Sequence, residues 1–348
     1  MTTATSWAAA ADLGLFTAPV PVQLGGSGTG YQKVCSTVAA MAEDTGISGP
    51  PFALSAHLWA FQSPVVEFGS PTQHEEYLSR SLAGELVGAF AGTEPEAGSD
   101  LLSLRTRAER DEPSGGWVLS GTKTFVTNGP LADVFLVLAR TADGSALGGL
   151  TAFLIPRETP GLEIGAEIPK TALPGARFNL LRLDGCRVAD GARLGRVGSG
   201  FAVLMHAMRY ERAFILAPTI GLMSRALRLA VGHARERVQF GRSIGSYDAV
   251  RGRIVQMHLS LTSAREFLEG TARLADAGHL DHGRASLTKL HVSAEFNTFC
   301  DALPDVYGGY ALLPENGTVQ LLADAVASRY YSGTTDMQIK VIAEGLGL

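Results

Sequence analysis

A short stretch of small polar residues, Thr93 to Asp100, follows an apolar run that begins at Leu86. The stretch reads Thr-Glu-Pro-Glu-Ala-Gly-Ser-Asp. Where a strand runs into Thr, Pro, Gly and Ser, backbone N–H groups and small hydroxyls gather at one edge and can bind a polar ligand. An ordinary polar turn between two strands has the same composition, so the stretch alone leaves both interpretations open.

A carboxylate interrupts an apolar helical stripe further along the chain. Apolar residues recur three and four positions apart from Phe201 to Ile215, and Glu211 falls on the same stripe. Burial of an unpaired carboxylate is costly or raises its pKa, and a raised pKa suits a general base. A structural ion pair with Arg212, Arg209 or a neighbouring helix is the alternative.

The elements that must position these residues fall into three blocks. Helical periodicity dominates residues 1–85, apart from a Gly- and Pro-rich loop at 19–30. Long helices return in residues 200–348, where Pro218 is expected to kink the helix of Glu211. Between them, β-type runs occur at residues 117–120, 123–126, 133–138, 150–155 and 178–183, with a loop at 143–149. Blocks without βαβ alternation predict helical domains around a β barrel or small sheet domain.

Composition excludes several classes of protein. The 348 residues are 46% hydrophobic and 18% charged, which predicts a globular chain, and the net charge of −5 argues against a nucleic-acid partner. No signal peptide or spanning segment is apparent, so we expect a cytoplasmic protein that does not bind a membrane. Cys35, Cys186 and Cys300 are predicted to be buried free thiols, and the eight histidines show no metal-binding spacing.

The Thr93–Asp100 stretch strongly resembles the flavin-contacting loop of acyl-CoA dehydrogenases. Four further segments match that family in the same order: Gly-Thr-Lys-Thr-Phe-Val-Thr-Asn-Gly at 121–129, Arg-Glu-Arg-Val-Gln-Phe-Gly at 235–241, Tyr-Gly-Gly at 307–309 and Tyr-Ser-Gly-Thr-Thr-Asp at 331–336. The resemblance covers residues 10–345. It implies an α+β, mostly α, fold with an N-terminal helical domain (1–85), a middle β-barrel domain (86–199) and a C-terminal four-helix bundle (200–348).

The resemblance also implies FAD as cofactor. Phe125 would flank the isoalloxazine, Thr127 would reach its N5, and Arg237 with Phe240 would contact the cofactor across a subunit interface, which implies a homodimer or homotetramer. The full set of expected cofactor-binding residues is Phe90, Gly92, Thr93, Gly98, Ser99, Phe125, Thr127, Arg237, Phe240, Asp305, Gly308, Gly309, Thr334 and Asp336. The expected substrate-binding residues are Ser99, Arg212, Ser332 and Gly333.

One departure from the family pattern bears on the mechanism. Most members carry the catalytic glutamate just before the Gly-Thr of the last motif, where this chain has Ser332. A hydroxyl, whose pKa lies far above 7, cannot replace a carboxylate as base. A branch that includes isovaleryl-CoA and long-chain enzymes puts the glutamate on the long helix before an arginine, and Glu211-Arg212 matches it. Glu211 is therefore the predicted catalytic base.

The implied reaction is α,β-dehydrogenation of an acyl thioester: Glu211 removes the α-proton and hydride passes from the β-carbon to flavin N5. The backbone N–H of Ser332 and a ribityl hydroxyl of FAD would stabilise the developing enolate. The substrate would be a thioester of CoA or of acyl carrier protein, and an electron-transfer flavoprotein would be a partner. An acyl-thioester oxidase, a flavin monooxygenase and a degenerate non-catalytic member are the alternatives.

Further departures predict a specialised biosynthetic enzyme with weaker FAD binding. Asp248 and Asp305 replace residues that usually contact the cofactor, Ala323 stands where an arginine is common, and two added carboxylates would repel a pyrophosphate. An acidic carrier protein would require a basic patch. The candidate arginines are Arg105, Arg107, Arg110, Arg209 and Arg212, although the first three are better explained as solvated surface arginines.

Overall fold

The computed structural model describes residues 3–142 and 149–348. The predicted loop at 143–149 therefore lies outside the described residues, except for Gly149. The chain forms two compact units: residues 1–30, 53–169 and 176–211 make up the first, and residues 31–52, 170–175 and 212–348 the second.

The N-terminal part of the chain is helical, as its periodicity predicts. A capping box begins one of its helices, because the Ser70 hydroxyl accepts from the Gln73 N–H while the Gln73 side chain accepts from the Ser70 N–H. The helices are α1 (Thr3–Asp12), α2 (Tyr31–Thr45), α3 (Gly49–Ala56), α4 (Ser63–Phe68), α5 (Pro71–Gln73) and α6 (Ser79–Leu82). π-helical segments, His57–Gln62 and His74–Leu78, join α3 to α4 and α5 to α6.

A buried histidine, His57, ties three of these segments together. Its Nδ1 accepts from the Gly88 N–H at 3.0 Å, so its Nε2 carries the proton and donates to the Ser81 hydroxyl at 2.8 Å. Ser81 in turn donates to Gln62. Burial lowers the pKa of His57 to about 4. A protonated ring would place two donors, Nδ1–H and the Gly88 N–H, against each other.

Acidification is therefore expected to destabilise the protein through His57. An unfolded histidine titrates near 6.5, so between pH 6.5 and about 4 the unfolded state binds the proton that the folded state excludes. Stability should be lost as the pH falls through this window, by up to about 3 kcal/mol. Urea unfolding at pH 7 and pH 4.5 would measure it. His57→Gln should flatten the pH dependence, whereas the exposed control His258→Gln should not; equal slopes for His57→Gln and the parent protein would contradict the assignment.

The middle of the chain forms an eight-stranded sheet. Its strands are β1 (Gly88–Ala91), β2 (Arg107–Asp111), β3 (Gly116–Thr127), β4 (Val134–Arg140), β5 (Leu150–Pro156), β6 (Leu162–Glu167), β7 (Phe178–Val188) and β8 (Arg193–Leu194). The strand order is β6-β7-β3-β2-β4-β5-β8, and β1 pairs with β4 in parallel. All other pairs are antiparallel except β2 with β4.

Strand β4 is buried on both faces. Its residues alternate between two hydrophobic clusters: Val134, Leu136 and Leu138 contribute to one, and Phe135 and Val137 to the other. The first cluster also contains side chains of the π-helical segment, of α4 and of the helix that begins at residue 200. A strand that is covered on both sides reads as a continuous apolar run, which explains why the sequence predicts it.

The structure corrects the strand prediction in two places. The predicted runs 117–120 and 123–126 are one strand, β3, which passes through Gly121 at a φ of 157°. The polar strand β2 and the half-exposed strand β6 are not predicted from the sequence.

The C-terminal part of the chain is helical, with one small hairpin. Its elements are α7 (Gly200–Phe214), α8 (Ala217–Glu236), β9 (Val238–Gln239), β10 (Arg242–Ser243), α9 (Asp248–Asp276), α10 (His282–Tyr307), α11 (Thr318–Ala327) and α12 (Thr335–Gly345). The predicted kink is present, because the helical run breaks after Phe214 and resumes with Pro218 in the first turn of α8. Within the described part of the chain, Gly200–Glu236 alone is long and apolar enough for a membrane span, but 67% of that window is buried.

All three cysteines are buried and free, which confirms the prediction. Burial raises the pKa of Cys35, Cys186 and Cys300, so these thiols pack as small apolar groups.

Candidate active site

A buried ion pair anchors the Thr93–Asp100 stretch to the sheet. The Lys123 ammonium lies 2.8 Å from Glu94 Oε1, and the two side chains are 0% and 6% exposed. Lys123 also donates to the Gly92 carbonyl, and the Thr124 N–H donates to the Thr93 carbonyl at 2.9 Å. The end of β1 is thereby fixed against β3, so the structure brings the first two family segments together.

Backbone donors complete the environment of Glu94. The N–H groups of Arg105 and Thr106 and the Thr106 hydroxyl all donate to its carboxylate. Burial alone would raise the pKa of Glu94, but Lys123 and these donors hold it below its ordinary value. Burial lowers the pKa of Lys123 to about 8 against the opposing effect of Glu94. The glutamate of this motif therefore shapes the loop instead of facing a ligand.

A β-bulge turns Phe125 out of the sheet. Lys123 pairs with Leu181 and Val126 with Asn179, so β3 has one more residue than β7 in this interval. Phe125 adopts a φ of 52°, and 61% of its surface is exposed. A large aromatic residue held at positive φ and exposed to solvent is costly unless it serves a ligand.

The remaining predicted residues of the first unit lie around the same edge. Phe90 is half-buried, and a Cβ on Gly92 would lie 2.6 Å from its ring, which explains the glycine. Thr93 and Thr127 are half-buried, the latter as the last residue of β3. Gly98 and Ser99 are exposed beyond the two-residue turn that the Glu94–Ala97 bridge closes.

Glu211 lies in the last turn of α7 and is half-buried. It continues the helix face on which Ala207 and Met208 enter the first hydrophobic cluster, together with Val203 and Leu204. The predicted position on the buried stripe is thus present, with the carboxylate where that face reaches the end of the helix. His206, one turn earlier, bonds the Ser63 hydroxyl at 2.8 Å, which supports a structural role for that ring.

In the second unit, a single glutamine shapes the loop at 332–334. The Gln338 side-chain amide donates to the carbonyls of Ser332, Gly333 and Thr334, and Gln338 is 1% exposed. A Cβ on Gly333 would lie 2.7 Å from Gln338 Nε2, and the φ of 90° also favours glycine. The backbone conformation and the contact with Gln338 therefore each require a glycine at position 333.

Arg212 and the start of α12 frame this loop. Arg212 is buried, and its Nε lies 3.7 Å from the position of a Cβ on Gly333. Thr334 caps α12 by accepting from the Met337 N–H, and Asp336 is an exposed residue of the first turn. The structure thus brings together all the predicted residues of the last family segment.

The segments at 235–241 and 307–309 also meet. The Arg237 guanidinium lies 4.5 Å from the centre of the Tyr310 ring, next to Gly308 and Gly309, which are exposed. Asp305 lies 2.7 Å from Arg253 Nε. Asp248 pairs with Arg251 at 3.4 Å. The two carboxylates expected to repel a pyrophosphate therefore each have a guanidinium beside them.

Phe240 stands apart from the other predicted residues. With Gly241 it forms the two-residue tip of the β9–β10 hairpin, at φ values of 52° and 77°, and 95% of Phe240 is exposed. Such tips favour Asn or Asp followed by Gly, so an exposed phenylalanine there suits a contact with another molecule.

The candidate basic patch does not form as a single surface. Arg110 pairs with Asp190, which Arg193 also contacts, and Arg212 is buried. Arg105, which precedes β2, and Arg107, the first residue of β2, are exposed. Among the residues that the structure describes, no three His, Cys, Asp or Glu side chains could share a metal ion.

The residues present fit the expected flavin. The first unit offers an exposed aromatic ring, Phe125, beside the hydroxyl of Thr127, which suits a flat ring system. The second offers Arg237 against the ring of Tyr310, which directly follows the open backbone of Gly308 and Gly309, where a Cβ would meet nothing within 4 Å; a cation beside unfilled space suits a pyrophosphate.

Three functional residues were missed by sequence reasoning. Glu94 belongs to a recognised motif, and Lys123 is a lysine at an inward position of a strand, so the alternation of β3 could have identified this pair. Gln338 has no comparable sequence signal, because a polar residue in the first turns of a helix is ordinary.

Comparison with known proteins places the whole chain in one family. Three family models match: the N-terminal domain of acyl-CoA dehydrogenase over residues 1–85, the middle domain over 89–186 and the C-terminal domain over 198–347. The chain is 35% identical to L-prolyl-[peptidyl-carrier protein] dehydrogenase of a Serratia species over 343 residues, which cover 98% of this chain and 88% of that protein.

Solved structures agree. The prolyl acyl carrier protein oxidase AnaB superposes with a TM-score of 0.95 at 34% identity, with 99% of this chain and 91% of that one covered. PigA with FAD and proline gives a TM-score of 0.93 at 34% identity, with coverages of 98% and 89%. The three-domain fold, the ordered motifs and these similarities lead to one conclusion: the chain belongs to the acyl-CoA dehydrogenase family.

Proposed function

We propose that this protein dehydrogenates a prolyl thioester carried on a carrier protein, with FAD as the hydride acceptor. Similarity at 34–35% identity over nearly the full chain to proteins named for prolyl carrier-protein thioesters supports this substrate. The observation that carries the mechanism is Glu211: a half-buried carboxylate at the end of the core-facing side of α7, in a chain whose last motif has no carboxylate between Tyr331 and Thr335.

Glu211 acts as the general base. It takes the proton from the α-carbon while hydride leaves the β-carbon, so that a C=C bond forms and the acyl group loses one proton and one hydride, which carries two electrons. Arg212 is the next residue and lies beside Gly333.

The loop at 332–333 holds the thioester carbonyl. The Ser332 N–H donates to the carbonyl oxygen, where negative charge accumulates as the proton leaves. Gln338 helps to fix the orientation of this N–H, because its side-chain amide donates to the carbonyls of Ser332 and Gly333, the next two along the chain. A donor that is already oriented needs no rearrangement during the reaction.

FAD, when bound, accepts the hydride. Phe90, Gly92, Thr93, Gly98, Ser99, Phe125 and Thr127 would bind it in the first unit. Arg237, Phe240, Asp305, Gly308, Gly309, Thr334 and Asp336 would bind it in the second unit or in a neighbouring subunit.

An anaerobic titration tests the proposal. The purified protein, loaded with FAD, is mixed with prolyl, isovaleryl and butyryl thioesters of CoA and of a carrier protein while the flavin absorbance is followed. The prolyl carrier-protein thioester should bleach the flavin fastest. Failure of every thioester to bleach it would contradict dehydrogenation, and preference for a simple acyl-CoA would contradict the carrier-bound substrate.

An oxidase is the second candidate, because the protein AnaB, which superposes so closely, is described as a prolyl acyl carrier protein oxidase. The two differ in the fate of the electrons. Peroxide formed in air in proportion to thioester consumed identifies an oxidase. Turnover that requires an electron-transfer flavoprotein or a dye identifies a dehydrogenase.

Phe240 is expected to bind the cofactor of a neighbouring subunit in a homodimer or homotetramer. Phe240 is 95% exposed in its own chain, so Phe240→Ala should change the free energy of unfolding of the isolated subunit by less than about 0.5 kcal/mol. FAD affinity should fall about tenfold or more. Equilibrium binding of FAD and light scattering of the holoenzyme measure the two effects. Unchanged FAD affinity in the oligomer would contradict the assignment.

A further inference from the structure

The Ser332 hydroxyl is a buried polar group that lacks a hydrogen-bond partner among the described residues. Its Oγ is shielded from solvent and contacts no donor or acceptor. Buried hydroxyls are nearly always paired, because an unpaired one loses its bonds to water without replacement. The exception lies at the position where most family members carry their catalytic carboxylate.

The backbone holds this hydroxyl in a fixed direction. Ser332 adopts a φ of 56° and Gly333 one of 90°, both in the left-handed region. Gln338 binds the carbonyls of both residues, and Thr334 caps the helix that follows. The loop therefore cannot easily turn the hydroxyl toward solvent, and Gln338 uses its donor group on carbonyls instead of on Ser332 Oγ.

We infer that Ser332 Oγ accepts a hydrogen bond from the α-nitrogen of an aminoacyl thioester; this inference rests on the proposed function. The Ser332 N–H is assigned to the thioester carbonyl. The Ser332 hydroxyl is carried by Cβ, which is bonded to the same Cα as that N–H, so the two groups lie close together. In an aminoacyl thioester the nitrogen is likewise attached to the carbon next to that carbonyl. An acyl group with only carbon there would leave the hydroxyl buried and unpaired, which disfavours binding of that acyl group.

The test compares two acyl groups of the same size. Prolyl and cyclopentanecarbonyl thioesters differ only in an N–H that becomes CH₂, and both are supplied on the same carrier protein. In Ser332→Ala, the ratio of kcat/KM for prolyl to kcat/KM for cyclopentanecarbonyl should fall by about 10–100-fold relative to the parent enzyme. Ser332→Gly also removes the hydroxyl and tolerates the positive φ, so it should give the same fall if the alanine variant folds poorly.

Each outcome decides the matter. A reduced ratio in either variant supports the contact with the nitrogen. Equal losses of kcat/KM on both thioesters would show that Ser332 only maintains the loop, and unchanged kcat/KM values for both would show that its hydroxyl does not contact the acyl group. If the parent enzyme reduces its flavin with neither thioester, the proposed function fails together with the inference; if it responds to prolyl and the variants keep the ratio, only the inference fails.

Discussion

Glu211→Gln is expected to lower the rate of flavin reduction by about 10²–10⁴-fold while FAD and thioester still bind. Glutamine has nearly the same shape, but its amide cannot take a proton from carbon. The loop at 332–334 offers no substitute, since its side chains are a serine, a glycine and a threonine. Anaerobic stopped-flow absorbance with the prolyl carrier-protein thioester gives the rate, and the yellow colour of the protein reports bound FAD.

Glu266→Gln is the matched control, because Glu266 is an exposed glutamate on α9 and lies outside the five family segments. It should reduce its flavin at the parent rate. Full retention of flavin reduction in Glu211→Gln would remove Glu211 from the mechanism. Loss of FAD in that variant would instead indicate that the carboxylate supports the fold, as an ion pair would.

The placement of Glu211 was predictable because α7 has strict periodicity. Residues three and four positions apart share a helix face, so the apolar residues of the stripe locate the carboxylate without knowledge of the fold. A different local pattern predicts β4 and β5: each is a continuous run of apolar residues, and the structure buries both runs. The pattern of apolar residues is sufficient to predict an element when that pattern alone determines which of its residues are buried.

The rest of the sheet depends on partners that are distant in sequence. Strand β2 reads Arg-Ala-Glu-Arg-Asp and resembles a solvated loop, yet it forms five backbone pairs with β3. Ser120-Gly121 looks like a turn, but β3 continues through it because Gly121 packs against Thr106, where a Cβ would come within 2.4 Å of the hydroxyl. Neither feature follows from composition, since both depend on which strand lies alongside.

The candidate active site also combines features that the sequence predicts with features that depend on distant residues. Motif matches identify the segments, and the structure confirms that segments 90–99 and 121–129 meet in one unit, as do Arg212 and the 331–336 segment in the other. What the motifs do not reveal is which of their polar residues face a ligand. Glu94 faces inward to Lys123, 29 positions later, and Gln338 faces backward to the preceding loop. Roles of this kind depend on tertiary contacts, which the sequence motifs do not reveal.

The ion pair between Glu94 and Lys123 should be the most costly single contact to break. Lys123→Met leaves the carboxylate of Glu94 buried without its cation, and loss of one partner of a buried pair costs about 3–5 kcal/mol. The loop that carries Thr93 loses its anchor to β3 at the same time, so FAD retention should fall as well. Urea unfolding monitored by tryptophan fluorescence measures the first effect, and flavin content after gel filtration measures the second.

The double variant Glu94→Gln/Lys123→Met separates charge from packing. It leaves no buried charge, and the oxygen of the introduced glutamine can still accept from the Thr106 N–H, so it should be more stable than Lys123→Met alone. The NH₂ group of that glutamine would face the Arg105 N–H, so the double variant should remain less stable than the parent protein. Glu269→Gln, which breaks an ion pair whose side chains are 54–59% exposed, is the surface control and should change stability by less than about 1 kcal/mol. If Lys123→Met is no worse than that control, the ammonium does not hold the loop. The Thr93–Asp100 conformation would then depend on the remaining donors to Glu94, and Glu94→Ala, which removes the acceptor of all of them, would become the variant that releases it.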